Sequence, residues 1–238
     1  MLKLELHAHT DADPLDAIPH STRQLIDRAA ALGYGGLAIT LHNRYFDPAE
    51  DGEYARDRGV VLIPGIERSI DHRHVLLLNF PPACAEVRTF AEIAALKSRS
   101  NGLVVAPHPF YPIHSALGPR LDRHLDVFDA VEVNSMYTRF VNYNERAIRW
   151  ARVNRKPLVG NTDLHLLEQL GTTFTLVEAQ PDADAICDAI RRGRAEIRTE
   201  PLSTLRAGWI FSRMLALGLV GRLRRAYGGA GGRSGGQA

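Results

Sequence analysis

Read for apolar and polar positions alone, the chain alternates short β-rich apolar runs with helical patterns. Strands are predicted over 2–6 (LKLEL), 35–40 (GGLAIT), 60–66 (VVLIPGI), 74–79 (HVLLLN), 103–106 (LVVA), 129–134 (DAVEVN), 157–160 (PLVG) and 173–178 (TFTLVE). Helices are predicted over 21–33, 88–99, 141–154 and 182–192. Ser21 or Thr22 can cap the first, and Gly33 stands where a helix-ending glycine belongs. Apolar runs buried on both faces and separated by helices imply parallel βαβ units. With this many units and no glycine-rich phosphate fingerprint, a barrel is favoured over an open doubly wound sheet.

The pattern changes near residue 200. Residues 204–226 read as one further helix, apolar on much of its surface and basic at its end. Its longest uncharged run, Met214 to Gly221, falls well short of the roughly 20 residues needed to span a bilayer. Packing on the domain, peripheral membrane contact and a partner groove all remain open for it. The stretch 228–238 (GGAGGRSGGQA) is too poor in apolar residues to fold and reads as a disordered tail. The organisation expected is therefore a domain over 1–200, an amphipathic helix over 201–227 and a glycine-rich tail over 228–238.

Composition narrows the setting. The chain has 238 residues, 45% of them hydrophobic, enough to bury a real core. A formal charge of +2 argues against a dedicated nucleic-acid coat protein, though not against a nucleic-acid substrate held by a few local arginines. Cys84 and Cys187 are too far apart and too few for a disulfide framework or a thiolate zinc site. The chain opens directly on a strand pattern, so a cytoplasmic location is expected.

Ten histidines are present, and their placement changes the picture most. The first strand leads into His7 and His9, the second into His42, the third into Glu67, the fifth into His108 and the seventh into Asp163 and His165. His74 precedes its strand and must return from the short turn after Glu67. In a parallel barrel the strand ends open onto one face, where catalytic loops gather. Strand geometry sends His7 and His9 to the same side, and Asp163 and His165 repeat that spacing. Imidazoles and carboxylates without thiolates suit zinc, manganese or iron, and there are more of them than one tetrahedral ion needs.

Taken together, His7-Ala8-His9, Thr40-Leu41-His42, Gly65-Ile66-Glu67, His108 and Asp163-Leu164-His165 resemble the motifs of the PHP (polymerase and histidinol phosphatase) superfamily. The resemblance covers residues 1 to about 200. It implies a distorted (βα)7 TIM-like barrel and two or three divalent ions. By that resemblance His7, His9, Glu67 and Asp163 hold one ion. Glu67, His74 and His108 hold a second. His42 and His165 hold a third with a first-loop carboxylate, for which Asp13 fits best and Asp11 and Asp16 are rivals. His72 is the rival of His74. Where many relatives have TDH this chain has Thr40-Leu41-His42.

Three divalent ions against three carboxylates leave an excess of positive charge, which an anionic substrate would answer. Hydrolysis of a phosphoester by metal-activated hydroxide is the reaction expected, with Asp163, His165 and His42 as its catalytic residues. The expected substrate is a small phosphomonoester or nucleotide. Arg44 and Arg139 are candidates to grip it through bidentate pairing. Glu132 is a candidate to orient a ligand histidine, while His20, His114 and His124 read as ordinary surface or loop residues. Two alternatives stand beside this. One is a 5′-to-3′ exonuclease on short RNA or DNA, with Tyr45, Phe46, Phe110, Tyr111 and Tyr137 near the mouth for stacking. The other is a non-catalytic, metal-stabilised module presenting its C-terminal helix.

Overall fold

A computed structural model describes residues 1–228, with the backbone alone over 222–228. The elements in order are β1 (Leu2–Ala8), α1 (Thr22–Ala31), β2 (Gly36–Ile39), α2 (Gly52–Arg56), β3 (Val61–Ile63), β4 (Gly65–Ile70), β5 (Arg73–Leu78), α3 (Phe90–Lys97), β6 (Leu103–Ala106) and α4 (Arg120–Arg123). They continue with β7 (Ala130–Asn134), α5 (Asn144–Val153), β8 (Leu158–Asn161), β9 (Thr173–Val177), α6 (Ala183–Arg191), β10 (Ala195–Thr199) and α7 (Thr204–Gly228). The glycine-rich tail expected over 228–238 lies, beyond Gly228, outside the described residues.

The strands form two five-stranded sheets, ordered β10-β9-β1-β2-β3 and β4-β5-β6-β7-β8. β1-β2-β3 and β6-β7-β8 are parallel, as the βαβ pattern implies. The β4-β5-β6 and β1-β9-β10 pairings are antiparallel. The fold is therefore mixed α/β. The expected barrel is not closed by continuous ladders: the sheets meet through isolated bridges, His42 with Glu67 and Ala8 with Leu164.

Pro64 explains why the predicted strand 60–66 is two strands. It has no N–H to offer a ladder, and the chain leaves β3 there to begin β4 in the other sheet. Gly65 then lets the sheets approach closely, since a Cβ at this position would stand 2.8 Å from the Ile39 carbonyl oxygen. Gly160 does the same on the far side, 2.8 Å from the Phe174 carbonyl oxygen. Gly65→Ala is expected to destabilise the fold by about 1–3 kcal/mol through overpacking of backbone that cannot yield, measured by urea unfolding.

Alternation along β5 shows how the core is divided. Val75 and Leu77 pack under α3 with Phe90, Ile93 and Phe128, while Leu76 and Leu78 join Leu4, Leu6, Leu103 and Val105. His74 shares the Leu76 face, so its ring is carried inward. Ser21 caps α1 through a capping box with Gln24, and Gly33 ends it at φ +74°. α7 rests on Leu166 and Leu202 through Ile210, Met214 and Leu217. Arg206 donates to the Glu168 carbonyl (2.7 Å) and Arg213 pairs with the Glu168 carboxylate (3.0 Å). No helix among the described residues is long and apolar enough to cross a membrane.

Candidate metal centre

His7 and His9 stand at the end of β1 with their rings in one cluster, centroids 5.4 Å apart, as strand alternation requires. Glu67 lies inside β4, not beyond a strand end. Its hairpin with β5 turns at Asp71 and His72, both at positive φ, as a two-residue hairpin turn demands. The turn carries His72 to the tip and brings His74 back beside Glu67. His74 is thus the residue at the centre, and His72 is not.

Glu67 is the hub. Its carboxylate oxygens lie 3.4 Å from His7 Nε2, 3.5 Å from His9 Nε2, 3.1 Å from His42 Nε2, 2.6 Å from His74 Nδ1 and 3.4 Å from His108 Nε2. Asp163 Oδ1 is 3.3 Å from His7 Nε2 and 3.4 Å from His9 Nε2. His108 and Asp163 both adopt positive φ, at 29° and 50°. Non-glycine residues rarely take this conformation, and where they do it clusters at functional sites.

The buried atoms His7 Nε2, His9 Nε2 and Glu67 Oε2 have no hydrogen-bond partner. A buried polar atom without a partner costs free energy, so three of them facing one another fit a group that takes electron pairs. Ligand atoms lie close enough to share a cation in four sets: His7-His9-Glu67, His9-Asp13-His42, His9-Asp163-His165 and His42-Glu67-His74. The first set brings together three of the four residues expected around one ion, and the last joins Glu67 and His74 of the expected second group without His108. His42 falls both with Glu67 and His74 and, as expected, with Asp13, while His165 groups with His9 and Asp163.

Asp13 is engaged otherwise than a free ligand would be. Its Oδ2 accepts from His9 Nδ1 (2.9 Å), His42 Nδ1 (3.0 Å) and the His42 backbone N–H (2.9 Å). Its Oδ1 accepts from the backbone of Leu15 and Asp16. The carboxylate is saturated, and it turns both rings so that their Nε2 atoms face Glu67. The first-loop carboxylate that is open is Asp16, 3.2 Å from His165 Nε2. Asp11 is exposed.

Supporting contacts lock the rings. Glu132 accepts from His7 Nδ1 (2.8 Å), Asn161 Nδ2 (3.1 Å), Asn134 Nδ2 (2.9 Å) and the His108 backbone N–H (3.1 Å). His165 Nδ1 donates to the Asp163 carbonyl (2.8 Å), which leaves Nε2 for the cavity. His20 is not a surface residue: it is buried and donates to the His9 carbonyl (2.9 Å). Gln169 accepts from the His165 and Leu166 backbone and donates to the Thr162 carbonyl. Leu41 is buried against Ala8, Leu164 and Phe46. Arg44 is exposed and donates to the Ala12 carbonyl (3.1 Å) at the first loop. Arg139 lies on the exposed segment after β7 and makes no hydrogen bond or ion pair with a centre residue among the described residues.

Burial opposes charge on His7, His42, His108 and His165, yet the carboxylates around them win and raise all four, His42 to about 9. Burial likewise opposes ionisation of Glu67 and Asp163, and the neighbouring imidazoles override it and lower both. Glu5, buried with one oxygen unpartnered, is pushed up to about 8 by burial against backbone donors at Thr162 and His7. Raised histidines stabilise the fold fully below their unfolded value near 6.5 and lose that contribution as pH climbs through the folded values. Glu5 acts in the same direction. Chelator-treated protein is therefore expected to lose roughly 5 °C of Tm between pH 6.5 and 9. Added zinc, which competes with those protons, should restore more of it at the higher pH, as thermal melts across pH will check.

Residues 141–195 match the family PHP_C, described as PHP-associated. An uncharacterised protein of Methanocaldococcus jannaschii is 31% identical over 150 residues, covering 58% of this chain and 84% of that one. The chain belongs to the PHP superfamily. Its fold is similar to a two-domain protein of Bacteroides vulgatus containing a predicted PHP-like metal-dependent phosphoesterase (TM-score 0.65, 18% identity, 84% of this chain). This PHP chain spans 65% of that protein's length. It is also similar to the lesion-specific endonuclease Q of Pyrococcus furiosus (TM-score 0.54, 16% identity), covering 82% of this chain and 57% of that one.

Proposed function

We propose that this PHP protein hydrolyses phosphoesters with the help of two or three divalent ions, its substrate a small phosphomonoester or nucleotide. The observation that carries the reading is the set of buried, unpartnered atoms on His7, His9 and Glu67 facing one another. His7, His9, Glu67 and Asp163 would hold one ion, Glu67, His74, His108 and His42 a second, and His165 with Asp16 a third. Bound there, such ions supply a more acidic water and a clamp for phosphate oxygens. Asp13 and Glu132 hold the rings from behind. Asp163 and His165, partly open to solvent, meet the substrate first, with His165 Nδ1 held by the Asp163 carbonyl so that Nε2 is turned to the cavity. Arg44, which follows β2 and leans on the first loop, grips the phosphate. Three carboxylates at the cavity leave the ions' charge in excess, which favours an anionic ester over a neutral amide.

A nucleic-acid substrate is the second reading. It is favoured by a cavity of about 420 Å³ beyond His108, lined by Arg73, Arg120, Arg123 and Arg146 with Phe110 and Tyr111. None of the four arginines forms an ion pair among the described residues, and Arg146 stacks on Phe110. The test strips the protein with chelator, reloads it with manganese or zinc, and follows release from nucleotides, sugar phosphates and 5′-phosphorylated oligonucleotides. Metal-dependent turnover of any of them is expected. Stoichiometric metal with no turnover of any phosphoester leaves the non-catalytic module as the answer.

A further inference from the structure

The geometry points to an apolar subsite beside the metal centre, built by α7, that selects phosphoesters carrying an apolar chain or ring. The inference rests on the phosphoesterase reading and adds the substrate class. A cavity of about 420 Å³ opens between the centre and α7. On one side stand His165 and Asp16, which face each other at 3.2 Å. On the other stand Phe211, Met214, Leu215 and Gly218, which recur at three- and four-residue intervals and so share a helix face. Charged donors and an apolar wall thus border one space.

Three features fit this use. Phe211 and Leu215 are exposed large apolar side chains, and apolar surface left open beside a polar centre marks a binding site. Glycine is costly inside a helix, yet Gly218 sits there, and a Cβ added to it would meet nothing within 4 Å. The missing side chain keeps the cavity open. The helix is also held in register with the centre. Arg206 and Arg213 both bind Glu168, three residues after His165. A phosphate at the ions would direct its ester group either to bulk water or along this wall, and the wall removes an apolar group from water.

The test uses the metal-loaded full chain and n-alkyl phosphates from methyl to octyl, kept below their aggregation concentrations, with phosphate release as the readout. kcat/KM is expected to rise about threefold per methylene until the cavity is filled. Gly218→Leu, which grows a side chain into open space, should cut the octyl-to-methyl ratio about tenfold or more. Leu215→Asp, at an exposed position, should do the same. Phosphatidate in phosphatidylcholine vesicles identifies the source: turnover faster than octyl phosphate assigns a membrane lipid, slower turnover a soluble amphiphile. Turnover independent of chain length, or a ratio unchanged in both variants, overturns the subsite and leaves phosphoester hydrolysis standing. No release from any phosphoester overturns the reading beneath it.

Discussion

Glu67→Gln is expected to lower metal-dependent phosphate release by about 10³-fold and to reduce bound metal. The change is nearly isosteric, so packing is kept and only the charge goes. That charge matters because the carboxylate lies within 3.5 Å of ring nitrogens from five histidines. No other group in the cluster faces so many. An amide offers one acceptor oxygen in place of two and turns a donor toward rings that must give up their electron pairs. Chelator-treated protein should suffer as well, since protonated imidazoles would be left without their central counter-charge, at a cost of about 3–5 kcal/mol. Metal analysis, phosphate release and melts at pH 6 measure the three effects. A variant within tenfold of the parent rate and with full metal content would remove Glu67 from the centre. Asp163→Ala should abolish turnover too, with less effect on folding, because Asp163 sits at the open edge of the cluster.

Glu132→Gln should behave differently. This carboxylate does not face the ion cavity; it takes four hydrogen bonds from behind it, from His7, Asn134, Asn161 and the His108 backbone. Losing it frees the His7 ring and the loop that aims His108. Affinity for metal is expected to fall about 10–100-fold, so that more metal is needed for half-maximal rate while kcat at saturating metal stays near that of the parent. Metal-titrated activity separates this from Glu67→Gln, which added metal should not rescue. If saturating metal fails to restore kcat, Glu132 does more than position His7.

The residues of the centre were legible because polar groups at strand ends stand out against apolar runs. His7, His9, His42, Glu67, His74, His108 and Asp163 are all gathered by the fold. What was not legible depends on contacts between distant segments. The 60–66 run is uniformly apolar, and nothing in its periodicity shows that Pro64 moves the chain from one sheet to the other. β10 reads AEIRT, too polar for a strand until its pairing with β9 supplies the ladder. Distance along the chain favoured Asp13 over Asp16 as a ligand. In the fold, imidazoles and backbone N–H groups already occupy the Asp13 carboxylate, which is why Asp16 is the ligand proposed. His20 looked like a loop residue because the His9 carbonyl it supports lies eleven positions away.

The two sheets touch through single bridges, and one of these joins His42 to Glu67. Donors on the β1-β2 side (His7, His9, His42) therefore confront donors on the β4-β8 side (Glu67, His74, His108, Asp163) across a junction joined by short sets of backbone hydrogen bonds, Leu41, Asn43 and Phe46 to Glu67 and Gly65 on one seam and His7 and His9 to Leu164 on the other. Cations seated there would rivet the halves together. A ligand that binds only the folded state stabilises it, so removing metal is expected to loosen the molecule along this seam, where the proposed chemistry would take place.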